Sequence, residues 1–481
     1  MHVCLGGLVK FSYTTIRFGR GGSVLEPTAE DKAKLLLARF DNANLVSFHI
    51  KLFLSSGGAW LWAAFGTGII GFILPSLKRE WSLISSQLGL IASCNLLGML
   101  IGSVIAGYMA DRYGRRATLE LAIIMVGVTS AISALAWNYP AILFLRTFAG
   151  LGLGAILPIA STLVSEYSPA KYRGRFLTLL NGFWGLGVTL AALVGFLVIP
   201  DFGWRWALFV GILAIGFVPL TRKFIPESLR FLISKGRISD ALNIASKINV
   251  GQGFDDSKVG LSLNPAQKPQ GISQINADKI GIWSRAFRWR TFSIWTLWFS
   301  LNFLFQGIFI WLPSILIAKG YNMASSFLFV LIISFSQIPG SILAALTVDK
   351  VGRRLSLIGF FSLFALCSLM FGFASSSFTI LFWGFLVGAC NGATWSNAYP
   401  YTTELYPTKI RGTATGWATG FGRVGGILAP FLIGLLILMG WGNSRIFMLM
   451  TFVCLLSVAV ILIIKEETKG KTLEEIAMNI N

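Results

Sequence analysis

GSVIAGYMADRYGRR at residues 102–116 returns, altered but recognisable, as GSILAALTVDKVGRR at 340–354. A second pair, EYSPAKYRG at 166–174 and ELYPTKIRG at 404–412, keeps the same spacing. Asp111 and Asp349, Glu166 and Glu404, Arg173 and Arg411, and Pro75 and Pro313 are each 238 positions apart. Hydrophobic bias alone cannot hold charged residues at one fixed offset. The chain therefore reads as one unit duplicated in tandem, with almost no net insertion between these landmarks. Parallel halves related by an axis along a membrane normal put a cavity between them, near mid-bilayer.

Composition says what solvent this repeat meets. Of 481 residues, 55% are hydrophobic and 12% charged, with a mean hydropathy of +0.72. Soluble domains carry about 25% charged residues, so half that share cannot cover a water-facing surface of this size. Lipid must solvate most of the chain, and a helix needs about 20 apolar residues to cross it with its backbone satisfied. Such runs fall at 52–76, 86–110, 117–137, 140–166, 174–199, 204–221, 291–317, 325–347, 355–375, 378–404, 412–439 and 443–464. The expected fold is an all-α membrane protein of about twelve transmembrane helices in two pseudo-symmetric six-helix bundles. Its expected divisions are an N-terminal tail (1–50), a first bundle (51–221), a linker (222–290) with surface helices such as 238–248, a second bundle (291–464) and a tail (465–481). Pro75 and Pro313 are expected to close the first helix of each bundle.

Net charge is +20, and the basic residues punctuate short loops: Arg112, Arg115 and Arg116; Lys171, Arg173 and Arg175; Lys350, Arg353 and Arg354; Lys409 and Arg411. All fall on one side, with the linker and both termini, which the positive-inside rule makes the cytoplasm of a multi-pass cell-membrane protein. The charge therefore reads as topology and contact with anionic headgroups rather than nucleic-acid binding, and aromatic residues do not interleave with it as a single-strand binding face requires. The first ~30 residues hold no apolar stretch long enough for a signal peptide and read as a cytosolic tail. Cys4, Cys94, Cys367, Cys390 and Cys454 include no CxxC, and His2 and His49 are the only histidines. Metal, cofactor and disulfide chemistry are not expected. A membrane enzyme would need a clustered acid–base or metal set, and an ATP-driven pump a GxxxxGK[ST] loop; neither is present in the sequence.

At these residues the chain resembles the major facilitator superfamily. The G-x-x-x-D-[RK]-x-G-R-R signature stands complete as Gly107, Asp111, Arg112, Gly114, Arg115 and Arg116, and its second copy carries Ala345 for the first glycine. RTFAGLGLG (146–154), the E-x6-R-G pairs, PESLRFLISKGR (226–237) and EETKGKTLEEI (466–476) are similar to the branch of sugar porters and metabolite–proton symporters. The resemblance implies a secondary transporter, monomeric and without cofactor, that moves a small polar metabolite by alternating access. The alternative is a sugar transporter, either a facilitator or a proton symporter; a non-transporting sensor on the same fold is a further one, for which linker and tail leave little room for a signalling domain.

The resemblance also implies sites. Asp111, Arg112, Arg115, Arg116, Glu166 and Arg173, with Asp349, Arg353, Arg354, Glu404 and Arg411, would form a breakable ionic latch between the halves on the cytoplasmic side, favouring the outward-open state. Duplication of acids as well as bases fits a latch, since topology needs only the bases. A cavity lined by the first, fourth, fifth, seventh, tenth and eleventh helices would take Asn181, Gln306 and Tyr399 as substrate contacts, with Trp395, Asn391 and Trp311 as looser candidates. Arg146 and Arg423 lie deep in apolar runs, where charge is expensive and usually functional. Proton-coupled sugar porters pair the fourth-helix arginine with a first-helix aspartate, yet Gly66 stands at that position here. Either an anionic substrate, such as a carboxylate, neutralises Arg146 or Arg423, or the protein is an uncoupled facilitator, or Arg146 bonds helix carbonyls and Arg423 snorkels. The seventh helix lacks the QxxGxN run and TWSNAYPYTTE replaces GPxPW, so an organic anion is favoured over a sugar.

Overall fold

The structure, a computed structural model, describes residue 40 and residues 44–248, 282–285, 287–406, 408–464 and 467, apart from the side chains of 170, 171, 178, 349, 408, 409, 411 and 412. Among the described residues twelve helices are long and apolar enough to cross a membrane. The first half contains α1 (Ser47–Trp81), α2 (Ser85–Tyr113), α3 (Arg115–Ala134), α4 (Tyr139–Tyr167), α5 (Ala170–Phe202) and α6 (Trp204–Phe224, 3-10 over Val210–Phe217). Two short helices follow, α7 (Leu229–Ser234) and α8 (Ile238–Ile248). The second half contains α9 (Arg288–Ala318), α10 (Met323–Phe335 and Gln337–Val351), α11 (Arg353–Phe373), α12 (Ser377–Glu404), α13 (Thr408–Leu438) and α14 (Asn443–Ile463). Large apolar side chains cover the outside, Val104 71% and Leu346 65% exposed among them, which water would not tolerate over so wide an area and lipid does.

Helix ends follow local chemistry. Asn138 caps α4 by accepting from Ala141 N at 2.9 Å, with Pro140 in the first turn, and Asn322 caps α10 by accepting from Ser325 N at 2.7 Å. Such side chains satisfy amides that have no partner inside the helix. Pro75 and Pro313 do not close their helices. Each lies inside, and α1 runs on to Trp81 and α9 to Ala318. A membrane helix tolerates the missing amide because its neighbours re-satisfy the freed carbonyl. The one interrupted span of the second half is α10, whose two pieces meet at Ser336. Pro339, four residues after Phe335, removes the donor that would continue the ladder there.

A glycine seam holds each half together. A Cβ on Gly102 would lie 2.0 Å from Leu151 O, and one on Gly154 2.0 Å from Met99 O, so α2 and α4 touch backbone to backbone. In the second half Gly340 meets Ala389 O at 2.0 Å and Gly392 meets Gln337 O at 2.2 Å, joining α10 to α12. Gly102 and Gly340, like Gly154 and Gly392, are 238 positions apart. The duplication thus preserves a packing contact, of the small-residue kind that brings membrane helices close.

The halves meet away from the basic loops. Ser93 Oγ of α2 donates to Ile427 O of α13 at 2.6 Å, and Gly89 abuts Pro430 O. A Cβ on Gly71 of α1 would sit 2.8 Å from Ile310 O of α9, and Phe72 meets Phe327 of α10 edge-on at 5.2 Å. These contacts belong to the helix ends opposite Arg115 and Arg353. The molecule is a wedge, sealed at that face and parted toward the basic one.

Candidate functional site

Where the halves part lies a cavity of about 470 Å³, within the usual range for small-molecule sites. Its wall draws on α1, α2, α4 and α5 of the first half and α9, α10, α12 and α13 of the second. Helix α2, through Leu96 and Met99, and helix α10, through Gln337, Ile338, Ser341, Ile342 and Ala345, thus join the expected set. Both halves contribute aromatic rings to the wall. Trp298 meets Tyr399 edge-on at 4.6 Å and Trp395 at 5.7 Å, and Phe305 lies 6.2 Å from Trp184 across the two halves. Trp298 Nε1 is spent on Thr402 Oγ1 at 3.0 Å, so its indole presents ring surface rather than a free donor.

Of the expected substrate contacts, Asn181, Gln306, Trp395, Tyr399 and Arg423 line this cavity. Arg423 is the single charged side chain among the described residues of the wall. It does not snorkel; its Nη1 donates to Met99 O of α2 at 3.0 Å, a bond between the halves. Arg146 requires a correction. It lies outside the cavity, 1% exposed, with Nε donating to Ser133 Oγ at 3.2 Å and Nη2 reaching Thr129 O at 3.5 Å. Small residues of α3 make room for the guanidinium, which therefore ties α4 to α3 inside the first half. A Cβ on Gly66 would lie 2.8 Å from Leu153 Cδ2, so leucine fills the space a first-helix acid would need. Asn391 is wholly buried outside the wall, and Trp311 Nε1 donates to Pro430 O at 3.0 Å in the sealed face.

Among the described side chains of the basic face, the ion pairs of the expected latch residues named here lie within one half or the other. Arg115 pairs with Glu166 at 3.5 Å and with exposed Asp111 at 3.7 Å, and Arg116 pairs with Glu120 at 2.9 Å. Arg173 Nη2 reaches Ser168 O at 3.4 Å, and Arg112 reaches Tyr108 Oη at 3.2 Å. In the second half Arg353 pairs with Glu404 at 3.3 Å, and Arg354 donates to Ile461 O and Leu462 O, both at 3.3 Å. The side chains of Asp349 and Arg411 lie outside the described residues. Two carboxylates not singled out from the sequence complete the arrangement. Glu227 accepts from Arg115 N at 2.7 Å and Arg116 N at 3.2 Å, capping α3; Glu467 accepts from Arg353 N at 2.9 Å and Arg354 N at 3.2 Å, capping α11. Each faces the amides exposed by a glycine turn of positive φ, Gly114 at 105° and Gly352 at 107°, where the helix dipole favours an anion. Their signal was present: Glu227 and Glu467 recur 240 positions apart within the two quoted motifs.

Two helical bundles, sealed at one face and parted around a central cavity at the other, define a secondary transporter of the major facilitator class, in which a small solute crosses by alternating access. A family model described as "Sugar (and other) transporter" matches residues 51–479, and the chain belongs to that family of transport proteins. It is 40% identical over 445 residues to the "Niacin transporter NiaP" of Acinetobacter baylyi, covering 92% of this chain and 100% of that one. It is 35% identical over 424 residues to the "Putative niacin/nicotinamide transporter NiaP" of Bacillus subtilis, covering 88% and 98%. Among solved structures it is similar to the inward-open xylose transporter XylE of E. coli, with a TM-score of 0.72 over 90% of this chain and 99% of that one. At 20% identity that likeness speaks to the fold alone.

Proposed function

We propose that the protein carries a small aromatic monocarboxylate, with nicotinate the first candidate, and that Arg423 anchors the carboxylate. The carrying observation is the wall itself, which sets aromatic rings from both halves beside one guanidinium, its single charge among the described residues. A guanidinium matches a carboxylate with two parallel hydrogen bonds, and rings set edge-on or tilted to one another at 4.6–6.2 Å offer a flat apolar body both faces and edges to contact. The relatives named for niacin, matched over nearly their whole length, support the same reading. A sugar would find little use for a lone cation. By the positive-inside rule the basic face is cytoplasmic, so the cavity opens inward. In that state the charges of Asp111, Arg115, Glu166, Arg353 and Glu404 pair within their own halves, and closing this face would let them exchange partners between halves.

Uptake into proteoliposomes tests the reading, with labelled nicotinate, benzoate, xylose and glucose, each with and without an imposed pH gradient. Nicotinate uptake above the protein-free background, lowered roughly tenfold or more in Arg423→Ala, is expected. Sugar uptake without nicotinate uptake, or an Arg423→Ala variant as active as the parent, would contradict it.

A further inference from the structure

A carrier of an anion must also bring its own charge through both closures. Tyr399 and Arg423 are the titratable side chains among the described residues of the cavity wall, and a phenol keeps its proton at neutral pH. The described carboxylates of the spanning helices lie near helix ends, Glu80 and Asp201 toward the sealed face and Asp111, Glu120, Glu166 and Glu404 toward the basic one. Glu80 accepts from Trp204 Nε1 at 2.6 Å and pairs with Arg205 at 2.8 Å, while Glu120 pairs with Arg116 at 2.9 Å and Arg222 at 3.0 Å. His49, in the first turn of α1, accepts from Val46 N at 3.1 Å. Arg146 keeps its partners inside one bundle, so a rigid rocking of the halves leaves its surroundings unchanged. The cavity thus holds one fixed positive charge and, among the described residues of its wall, no group that binds or releases a proton near neutral pH.

Such a cavity rocks at unequal cost with and without an acid in it. Between the two closures both faces are shut, and water no longer solvates the guanidinium. Burying a lone charge is expensive, and burying it beside an opposite charge in hydrogen-bonding geometry is far less so. The bond from Arg423 Nη1 to Met99 O joins α13 to α2 across the halves, but a carbonyl dipole does not cancel a full charge. A bound carboxylate does. Resting on the aromatic-acid reading, we infer that the protein is an anion exchanger, carrying one monocarboxylate inward for each one carried outward. Passage with an acid bound is electrically neutral in the cavity and fast; return without one moves an uncompensated guanidinium and is slow. The outgoing cargo is a monocarboxylate of the same class, because it must neutralise the same guanidinium in the same cavity. One anion crosses each way, so a full cycle moves no net charge, and the protein itself carries no proton.

The test is efflux from proteoliposomes of the full-length protein, filled with labelled nicotinate and diluted into buffer with or without saturating unlabelled nicotinate. Protein-free vesicles give the background, and valinomycin with equal potassium on both sides holds the potential at zero. Initial efflux is expected to be at least roughly tenfold faster with nicotinate outside, a ratio equivalent to about 1.4 kcal/mol between the two barriers. The exchange rate should stay within about twofold when a potential or a pH gradient is imposed, since the loaded cavity is neutral. Equal initial efflux into the two media would overturn the inference while leaving the aromatic-acid reading intact. So would a proton gradient that raises efflux into acid-free buffer to the exchange rate, or an exchange rate that follows the potential. Efflux at the protein-free background in both media would overturn the aromatic-acid reading as well.

Discussion

Two arginines in apolar helices looked equivalent in the sequence, and the structure gives them opposite surroundings. Arg423 faces the cavity and donates to Met99 O of the other half; Arg146 is enclosed by its own half and donates to Ser133 and Thr129. The distinction was not legible because depth in a run shows that a charge is buried, not which face of the helix carries it, and hydrophobic periodicity is weak in helices apolar all round. Asn181, Gln306 and Tyr399 could be placed because motif spacing supplied a register; Gln337, three positions before the repeat at 340–354, escaped because its helix was not expected in the wall. Removing Arg146 should therefore act on stability. Arg146→Gln is expected to lower unfolding free energy by about 1–3 kcal/mol, read as a lower midpoint in thermal unfolding of detergent-solubilised protein. Nicotinate affinity of the folded fraction should stay within about twofold of the parent; a large affinity loss would return Arg146 to the site.

At the level of the helices, the existence of all twelve spans followed from apolar runs of sufficient length, but their ends did not. α1 begins at Ser47 and passes through Pro75 to Trp81, beyond the hydrocarbon-length run, because a helix remains the cheapest way to satisfy backbone in the headgroup layer. The glycine turns at Gly114 and Gly352 could be read from the signature, whereas the recurrence of Glu227 and Glu467 in the quoted motifs did not say what they cap, since Glu227 lies 112 positions from Arg115 and only the fold brings them together. Glu227→Ala should cost about 1–2 kcal/mol through the lost cap, and Glu227→Gln less, measured again by thermal unfolding. The seams make a sharper case. Gly102→Val or Gly340→Val sets a side chain against a backbone carbonyl 2.0 Å from the new Cβ, so monodisperse protein should largely disappear in gel filtration, whereas Gly107→Ala, with nothing within 4 Å, should behave as the parent.

For the whole molecule, the 238-residue offset in the sequence and the paired seams, turns and caps in the structure describe one object: two equivalent rigid bundles with a ligand cavity on their common surface. Such a pair has two natural closures, one at each face, and a ligand that bridges the halves selects between them only through contacts that differ in the two states. The present arrangement is one closure, sealed by α1–α9 and α2–α13 contacts at the face away from Arg115 and Arg353. What the sequence could not convey was which face is shut, since both closures use the same residues. The most direct test measures both faces at once by pulsed electron paramagnetic resonance in nanodiscs, with spin labels at Arg175 and Val351 on the basic face and, in a second protein, at Phe202 and Asn322 on the opposite face. Rocking predicts opposite changes on adding nicotinate: the basic-face distance distribution gains a shorter population while the opposite-face distribution gains a longer one. Distances that move in the same direction, or that stay fixed while the labelled proteins still take up nicotinate, would contradict it.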